Sequence, residues 1–157
     1  MVSAPCGTRK GAIESLLKEK AEWIREKLRL FEEKYADRPK PEDIRKDYLK
    51  KKELARRFIT ERLEHFSNLY GLKYGKVSVR NQRTCWGSCS KKGNLNFNYR
   101  LIDISPDLAD YVIVHELCHT RVFDHSRKFW SLVGEAVPNY LELRKRLRAE
   151  DRKYHLL

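Results

Sequence analysis

Residues 111–119 read YVIVHELCH, and the fold and the chemistry of the chain follow from this stretch. His115 and His119 are four residues apart, about one turn of an α-helix, so both imidazoles lie on one helical face and can reach a single metal ion. Glu116 is rotated about 100° from His115, which places it beside the metal ligands and within reach of a water molecule. The spacing predicts a metallohydrolase-type site in which Glu116 accepts a proton. The alternative is a pair of surface histidines.

The residues just upstream predict that this motif lies on a helix. Ser105 is a good helix cap, Pro106 suits the first helical position, and Asp107 and Asp110 favour the positive end of the helix dipole. We expect the helix to run from Pro106 to about Arg121.

A zinc site of this kind requires a third protein ligand. The candidates are His125, six residues after His119, His65 on an upstream helix, and His155 near the C-terminus. We favour His125, because a turn after the helix can bring it back to the two motif histidines. The predicted cofactor is one Zn²⁺ ion.

A small antiparallel sheet is predicted upstream of the motif helix, over residues 76–99. Polar and apolar residues alternate in KVSVR at 76–80 and in NLNFNY at 94–99. KKGN at 91–94 is a turn signal, and TCWGSCS at 84–90 resembles a strand interrupted by glycine.

Two long amphipathic helices are predicted before the sheet. Apolar residues recur every three or four positions over 10–35 and over about 42–70, and the sequence DRPKP at 37–41 separates the two segments. A short link between two helices favours an antiparallel helical hairpin, here over 10–71.

Two further helices are predicted after the motif. One begins near Ser126 and should end or kink at Pro138, and a basic helix should cover about 139–150. Together with the sheet they make up a second part, residues 76–157, and the predicted fold class is α+β.

The length and the charge of the chain limit the possible functions. A chain of 157 residues predicts one domain over 1–157. The net charge of +12 suggests a nucleic-acid partner, but residues 1–75 hold 19 Lys/Arg and 13 Asp/Glu, and residues 76–157 hold 15 and 9. The positive charge is therefore diffuse, and nucleic acid is retained only as a possible partner.

Neither an apolar run of about 20 residues nor an apolar leader segment is present in the sequence, so we expect no membrane span and no secretory signal. We expect a cytoplasmic, reduced setting. The four cysteines do not form a disulfide scaffold in such a chain: Cys6, Cys85, Cys89 and Cys118. In an extended strand Cys85 and Cys89 would lie about 13 Å apart, too far for a disulfide bond. We interpret both as structural cysteines, since a second zinc site would need two further ligands.

Several motifs in order resemble one known family. They are CWGSCS at 85–90, NYRL at 98–101, YVIVHELCH at 111–119, DHS at 124–126 and FW at 129–130. The chain resembles the YgjP-like (DUF45) metal-dependent hydrolases, which are similar to the SprT-like and WLM zincin peptidases. The resemblance extends over about residues 2–148. It implies a zincin-like α+β domain, with His115, His119 and His125 as zinc ligands and Glu116 as the catalytic acid and base.

Two departures accompany the resemblance, and one further residue distinguishes the chain from a different group of zinc proteases. The family has β-strands before its first long helix, and VSAP at 2–5 resembles the end of that region, so we expect those strands to be missing here. Cys118 stands where the family commonly has alanine, and we interpret it as a small buried residue rather than a redox switch. Val122 stands where metzincin proteases, which share the spacing of the three histidines, have glycine, so we do not assign the chain to them.

Candidate substrate-binding or oxyanion-stabilising residues are polar side chains near the motif in sequence: Arg83, Asn98, Tyr99, Arg100 and Tyr111. The alternative for each is a structural hydrogen bond. We expect Trp86 to lie in the core or in a cleft wall, and Trp130 to pack behind the site.

Three functions are compatible with the sequence. We favour zinc-dependent hydrolysis of a peptide or protein. The basic surface also suits a nucleotide or phosphate-ester substrate, hydrolysed with a divalent metal ion. A third possibility is a nucleic-acid-associated module whose metal ion is structural, which would require a closed site with four ligands. The sequence does not indicate the oligomeric state.

Overall fold

The computed structural model describes residues 5–35 and 39–154. The chain divides into two compact units, Met1–Asp43 and Ile44–Leu157. The sequence predicts a single domain over 1–157, and that assignment stays a prediction. In the part of the chain that the structure describes, every helix is too short or too polar to cross a membrane.

The first unit holds two helices, α1 (Lys10–Glu19) and α2 (Ala21–Tyr35). The sequence predicts one helix over 10–35, but the backbone of Lys20 leaves the helical geometry, with φ −95° and ψ 9°. The Lys20 N–H still donates to the Leu16 carbonyl (3.0 Å), and the Ile24 N–H donates to the Lys20 carbonyl (2.9 Å). The interruption is therefore one residue long. The predicted hairpin with the following helix involves both units and stays a prediction.

Helix α3 (Pro41–Tyr70) agrees closely with the predicted second helix. Its buried residues from the second unit follow the predicted spacing of three and four: Ala55, Ile59, Leu63 and Phe66. They form one apolar stripe that packs into the core of that unit. The helix ends before Gly71, whose φ of +64° is a conformation that glycine adopts at little cost.

The sheet has three strands, β1 (Val77–Arg80), β2 (Gly87–Cys89) and β3 (Leu95–Asn98), in the order β1-β3-β2. Strands β2 and β3 pair antiparallel, with Ser88 opposite Asn96, as the turn signal predicts. The prediction of a wholly antiparallel sheet is wrong, because β1 pairs parallel with β3. Residues 81–86 carry the chain across to the far side of β3 before β2 begins. The sheet is consequently mixed, and β2 is one of its edges.

A 3₁₀ helix (Tyr99–Asp103) follows the sheet, and three α-helices complete the unit: α4 (Pro106–His119), α5 (Arg127–Ala136) and α6 (Tyr140–Lys153). All three were expected from the sequence, whereas the 3₁₀ turn was not. Ten of the 14 residues of α4 are buried, so α4 is the central helix of the unit. A helix that is apolar on most faces is expected to be enclosed in this way. The predicted α+β class is confirmed.

Ion pairs connect α3 with the 3₁₀ helix and with α4. The Arg62 guanidinium donates two hydrogen bonds to the Asp110 carboxylate, at 2.7 and 2.6 Å. The Lys51 ammonium donates to Asp103 at 2.9 Å. These side chains are about one-third exposed or less, and the paired geometry fixes the register of α4 against α3.

Candidate active site

Three imidazoles from α4 and the loop after it point their Nε2 atoms at one another. The Nε2 atoms of His115 and His119 are 3.2 Å apart, and those of His115 and His125 are 3.3 Å apart. All three nitrogens lie within 4.8 Å of one another, and no other group of this kind occurs within residues 5–35 and 39–154. The structure thus brings together the three histidines that the sequence singles out.

The end of α4 and the following loop position these side chains. The helix ends at His119, two residues earlier than expected, and the Thr120 hydroxyl donates to the Leu117 carbonyl (2.7 Å) at its last turn. The Val122 carbonyl lies 3.1 Å from Nδ1 of His119. A carbonyl only accepts hydrogen bonds, so Nδ1 of His119 carries the proton and its Nε2 presents a lone pair.

The nitrogen positions fit a tetrahedral zinc ion. Zinc–nitrogen bonds of about 2.0–2.1 Å place neighbouring donors in a tetrahedron roughly 3.3–3.4 Å apart. The two measured Nε2 separations of 3.2 and 3.3 Å agree with that value. Where two Nε2 atoms face each other with no hydrogen between them, their lone pairs repel. A cation between the nitrogens removes this repulsion. In the described part of the chain the cluster has three protein donors, which leaves a fourth position for water or substrate.

Aromatic rings pack around the three imidazoles. Phe129 on α5 is fully buried and stacks on His119, with 4.2 Å between ring centroids. The same ring contacts His115 and His125 edge-on, both at 4.9 Å. Trp130 stacks on His125 at 5.5 Å from the cavity side, so it lines the site instead of only packing behind it. This packing restricts the rotation of the imidazoles and thereby preorganises them.

Glu116 lies directly beneath the edge strand of the sheet. Its side chain packs so closely under Gly87 that a Cβ atom at position 87 would lie 2.6 Å from Cγ and 3.0 Å from Oε1 of Glu116. Any residue larger than glycine at this position would collide with Glu116. The glycine of the CWGSCS motif therefore makes room for the carboxylate.

Burial controls the charge of the site. Burial, with added repulsion from the neighbouring imidazoles and Arg144, lowers the pKa of His115 to about 3. Burial likewise lowers the pKa of His119. Both rings are neutral at pH 7 and available as metal ligands. Burial raises the pKa of Glu116 to about 8, so this carboxyl group holds its proton at pH 7 unless a cation nearby favours the charged form.

The site opens into a cavity of about 530 Å³. His115 and Glu116 on α4 line this cavity, and His119 adjoins them through the contact of its Nε2 atom with that of His115; we call these three residues the floor. Residues Cys85, Trp86 and Gly87 at the start of β2 line one side. A second side, which we call the α6 wall, consists of four residues: Arg144, Leu147, Arg148 and Asp151. Asp151 accepts a hydrogen bond from Nε1 of Trp86 at 2.6 Å and so joins the two sides.

Of the five predicted substrate-binding residues, Tyr111 alone lines this cavity. Asn98 is fully buried, and its amide donates to the Gln82 and Cys85 carbonyls at 2.9 and 3.2 Å. Those bonds hold the loop before β2 in place. The substrate-binding role predicted for Asn98 therefore finds no cavity contact to support it.

Tyr99 and Arg100 belong to a separate network. The Tyr99 hydroxyl donates to Asp47 at 2.9 Å, and Arg100 donates to the Tyr99 hydroxyl (3.1 Å) and the Tyr154 carbonyl (3.3 Å). Arg83 is exposed and is not among the residues that line the cavity. A role of Arg83, Tyr99 and Arg100 in substrate binding stays a prediction. The observed contacts of Tyr99 and Arg100 are structural hydrogen bonds.

The remaining candidates lie elsewhere. His65 is exposed on α3 and contacts Phe66, outside the imidazole cluster, and His155 lies outside the described residues. Cys6, Cys85, Cys89 and Cys118 are free thiols, as expected. Cys118 is buried in the core, and burial raises its pKa to about 12, which agrees with the interpretation as a small buried residue.

Comparison with known proteins identifies the family. The model of the YgjP-like metallopeptidase domain matches residues 42–150. This chain belongs to the YgjP-like metallopeptidase family. The resemblance seen in the sequence is thereby confirmed, and the matched residues of this metallopeptidase-family domain include all three clustered histidines and Glu116.

A solved structure supports the fold. The chain is similar to the metallopeptidase zymogen abylysin of Pyrococcus abyssi, with a TM-score of 0.54 and 23% sequence identity over 59% of this chain and 93% of that chain. At this identity the similarity concerns the fold alone. No curated protein matches the chain.

Sequence reasoning missed four residues of the site. Phe129 had a signal in the FW pair, and Gly87 had one in the CWGSCS motif. Arg144 and Arg148 were seen only as part of a basic helix. Their position depends on how α6 packs against α4, which no local pattern reports.

Proposed function

We propose that this protein is a zinc-dependent peptidase, with His115, His119 and His125 as metal ligands and Glu116 as the catalytic acid and base. The single observation that carries the proposal is the convergence of three Nε2 atoms beside a carboxylate at the floor of an open cavity. Membership of a metallopeptidase family supports the peptide bond as the target.

The roles follow from the chemistry of the groups. A bound zinc ion would act as a Lewis acid, lowering the pKa of water and polarising the substrate carbonyl. Glu116 takes a proton from the attacking water and later passes it to the amine nitrogen of the leaving group. His115 and His119 stay neutral through burial, so they do not compete for that proton.

Tyr111 is the proposed donor to the oxyanion. It lies one turn before His115 on α4, is 4% exposed and lines the cavity. Burial raises the pKa of its hydroxyl, which therefore keeps its proton. No protein acceptor bonds to this hydroxyl within the described residues, so it is available to donate to charge that develops on the carbonyl oxygen.

Strand β2 is the proposed docking edge for an extended peptide. Within residues 5–35 and 39–154 it pairs with β3 on one side only, and residues 85–87 line the cavity. A peptide that adds to the free edge as a further strand would place its backbone alongside the floor.

The test compares the wild type with Glu116→Gln, which keeps the shape of the side chain but removes its basicity. Both proteins are stripped of metal, reloaded with zinc and assayed on heat-denatured casein and on nucleoside triphosphates, with the bound metal measured. We expect one zinc ion in each protein. We also expect casein cleavage by the wild type and a loss of about 10²–10⁴-fold in the variant.

Full activity in Glu116→Gln would contradict the mechanism. Hydrolysis of the triphosphates in preference to casein would contradict the peptide substrate. A metal site filled by a fourth protein ligand would contradict catalysis at this centre.

A further inference from the structure

The α6 wall carries two arginines without a carboxylate partner. Arg144 and Arg148 are four residues apart, so they share one face of α6, and both line the cavity. Neither forms an ion pair within residues 5–35 and 39–154. Arg146, between them in sequence, faces elsewhere and pairs with Asp107 on α4. The two unpaired charges are therefore concentrated on the side of α6 that faces the site.

Arg144 is held next to the imidazole cluster. Its guanidinium carbon lies 4.8 Å from the centre of the Trp130 ring. Trp130 in turn stacks on His125 at 5.5 Å and on Tyr140 at 5.4 Å. A guanidinium on an aromatic face keeps its N–H groups free at the edge, where they can donate. Arg144 thus presents donors to the cavity about one aromatic ring away from the metal ligands.

Within the described residues, neither carboxylate that lines the cavity forms an ion pair with these arginines. Asp151 accepts the 2.6 Å hydrogen bond from the indole of Trp86. Glu116 is 7% exposed and confined under Gly87 at the floor. The two arginines are consequently left to interact with whatever enters the cavity.

We infer that Arg144 and Arg148 bind a carboxylate of the peptide substrate. The carboxylate belongs either to an acidic side chain near the scissile bond or to the C-terminus of the peptide. Two guanidinium groups match the two oxygens of a carboxylate through paired hydrogen bonds. Two guanidinium groups would also bind a phosphate ester. The assignment of a peptide carboxylate therefore rests on the proposed peptidase function.

The first experiment measures a preference ratio. Peptides of one neutral background are made with a single Glu or a single Gln at each successive position, and each is made with a free C-terminal carboxylate and with a carboxamide. The ratio of kcat/KM between the Glu and Gln members reports side-chain recognition. The ratio between carboxylate and carboxamide members reports recognition of the C-terminus.

The variants are Arg144→Gln/Arg148→Gln and, as a matched control, Lys145→Gln. Lys145 is exposed on the same helix, and its replacement removes one positive charge away from the cavity lining. In the wild type we expect one of the two kcat/KM ratios, Glu over Gln or carboxylate over carboxamide, to be about ten or more. In the double variant that ratio should be close to one. The ratio in Lys145→Gln should equal that of the wild type. The reversed variant Arg144→Glu/Arg148→Glu should favour Lys over Gln peptides.

A second experiment removes catalysis from the test. Fluorescein-labelled Glu and Gln peptides are titrated with the metal-free wild type and variants, and binding is followed by fluorescence anisotropy. Without metal, neither cleavage nor direct capture of the carboxylate by zinc contributes. We expect tighter binding of the Glu peptide to the wild type and to Lys145→Gln, and equal binding of both peptides to the double arginine variant.

The outcomes separate the two proposals. Peptide cleavage with ratios near one in the wild type, or with ratios that the arginine variants do not change, overturns the carboxylate assignment and leaves the peptidase proposal standing. If no peptide is cleaved, the peptidase proposal fails and the anisotropy titration decides: arginine-dependent binding of the Glu peptide supports the inference, and equal binding overturns it. The anisotropy experiment is repeated with unlabelled ATP and unlabelled Glu peptide as competitors. Displacement of the labelled Glu peptide by ATP at a lower concentration than by the unlabelled Glu peptide overturns the inference in favour of a phosphate ligand.

Discussion

The floor of the cavity and the α6 wall differ in how the protein holds its charged groups. On the floor, Glu116 and His119 are 7% and 8% exposed and are confined by a glycine above and a phenylalanine beside them. On the wall, Arg144 and Arg148 are exposed, and the described structure gives Arg144 only an aromatic contact. Groups that carry out a reaction must be preorganised, whereas groups that recognise a substrate can be flexible.

The floor is buried and the wall is exposed, and this difference determines what each region can do. Removing water from the floor shifts the pKa of His115 to about 3 and that of Glu116 to about 8, so the floor tunes proton affinities. The guanidinium groups of the wall are exposed and can contact a substrate that enters the cavity. Mutations in the floor should therefore change whether the reaction occurs, and mutations in the wall should change which substrate reacts.

The largest effect is expected for His119→Ala. The variant loses one of three proposed metal ligands and the hydrogen bond to the Val122 carbonyl, so it should lose its zinc and with it all measurable peptidase activity. Metal content and the rise of Tm on adding zinc measure this, because a ligand that binds only the folded state stabilises it. His65→Ala is the matched control, since His65 is exposed and lies outside the cluster. Retention of zinc by His119→Ala would show that the floor is not the metal centre.

A smaller effect is expected for Gly87→Ala. The new Cβ atom would lie 2.6 Å from Cγ of Glu116, so the carboxylate must move by several tenths of an ångström or more. A displacement of about 1 Å in a catalytic group reduces the rate about 10²-fold. Overpacking should also lower the free energy of unfolding by about 1–3 kcal/mol. Peptidase kinetics and urea unfolding measure the two effects.

Gly134→Ala provides the control for this glycine. Its nearest neighbour would be Cε1 of Tyr140 at 3.4 Å, an ordinary contact, and Gly134 lies inside helix α5. Alanine there should leave activity unchanged and stabilise the helix by up to about 1 kcal/mol. If Gly87→Ala behaves in the same way, the confinement of Glu116 does not matter for catalysis.

A third prediction concerns Tyr111→Phe. The ring still packs on His115, but the hydroxyl that we propose as the oxyanion donor is lost. We expect kcat to fall about tenfold or more with little change in KM, because a hydrogen bond to a developing charge stabilises mainly the transition state. Steady-state kinetics on one of the synthetic peptides measure this. A rise in KM at constant kcat would instead assign Tyr111 to ground-state binding.

The smallest effect is expected for Arg146→Gln. Arg146 donates to the Asp107 carboxylate and, at 3.2 Å, to the Ser105 hydroxyl, but the ion pair is exposed and therefore weak. Tm should fall slightly at low salt and should not differ from that of the wild type at high salt. The preference for Glu peptides should not change. If Arg146→Gln changed the ratio of kcat/KM between Glu and Gln peptides as much as Arg144→Gln/Arg148→Gln does, the total charge of α6 would determine the preference. The two cavity arginines would then have no specific role.

The sequence predicts much of the fold because its signals are local. The apolar periodicity of α3 and the start signal of α4 at residues 105–107 involve residues within one or two turns of each other. The structure agrees with the predicted bounds of these two helices to within two residues at all four ends. The break at Lys20 and the parallel pairing of β1 were not predicted. Parallel pairing depends on where the chain crosses the sheet, which alternation of polar and apolar residues does not specify.

The sequence by itself singled out the three histidines that cluster, because two histidines one turn apart and a third just beyond the helix end are brought together by local geometry. It also determined the family, through several short motifs in a fixed order. Only the tertiary structure decided which polar residues face the cavity. Asn98 and Arg100 were placed in hydrogen-bond networks away from it, and Arg144 and Arg148 were placed on its wall. That choice depends on the packing of α6 and β2 against α4, contacts between segments far apart in the chain, for which no local pattern carries information.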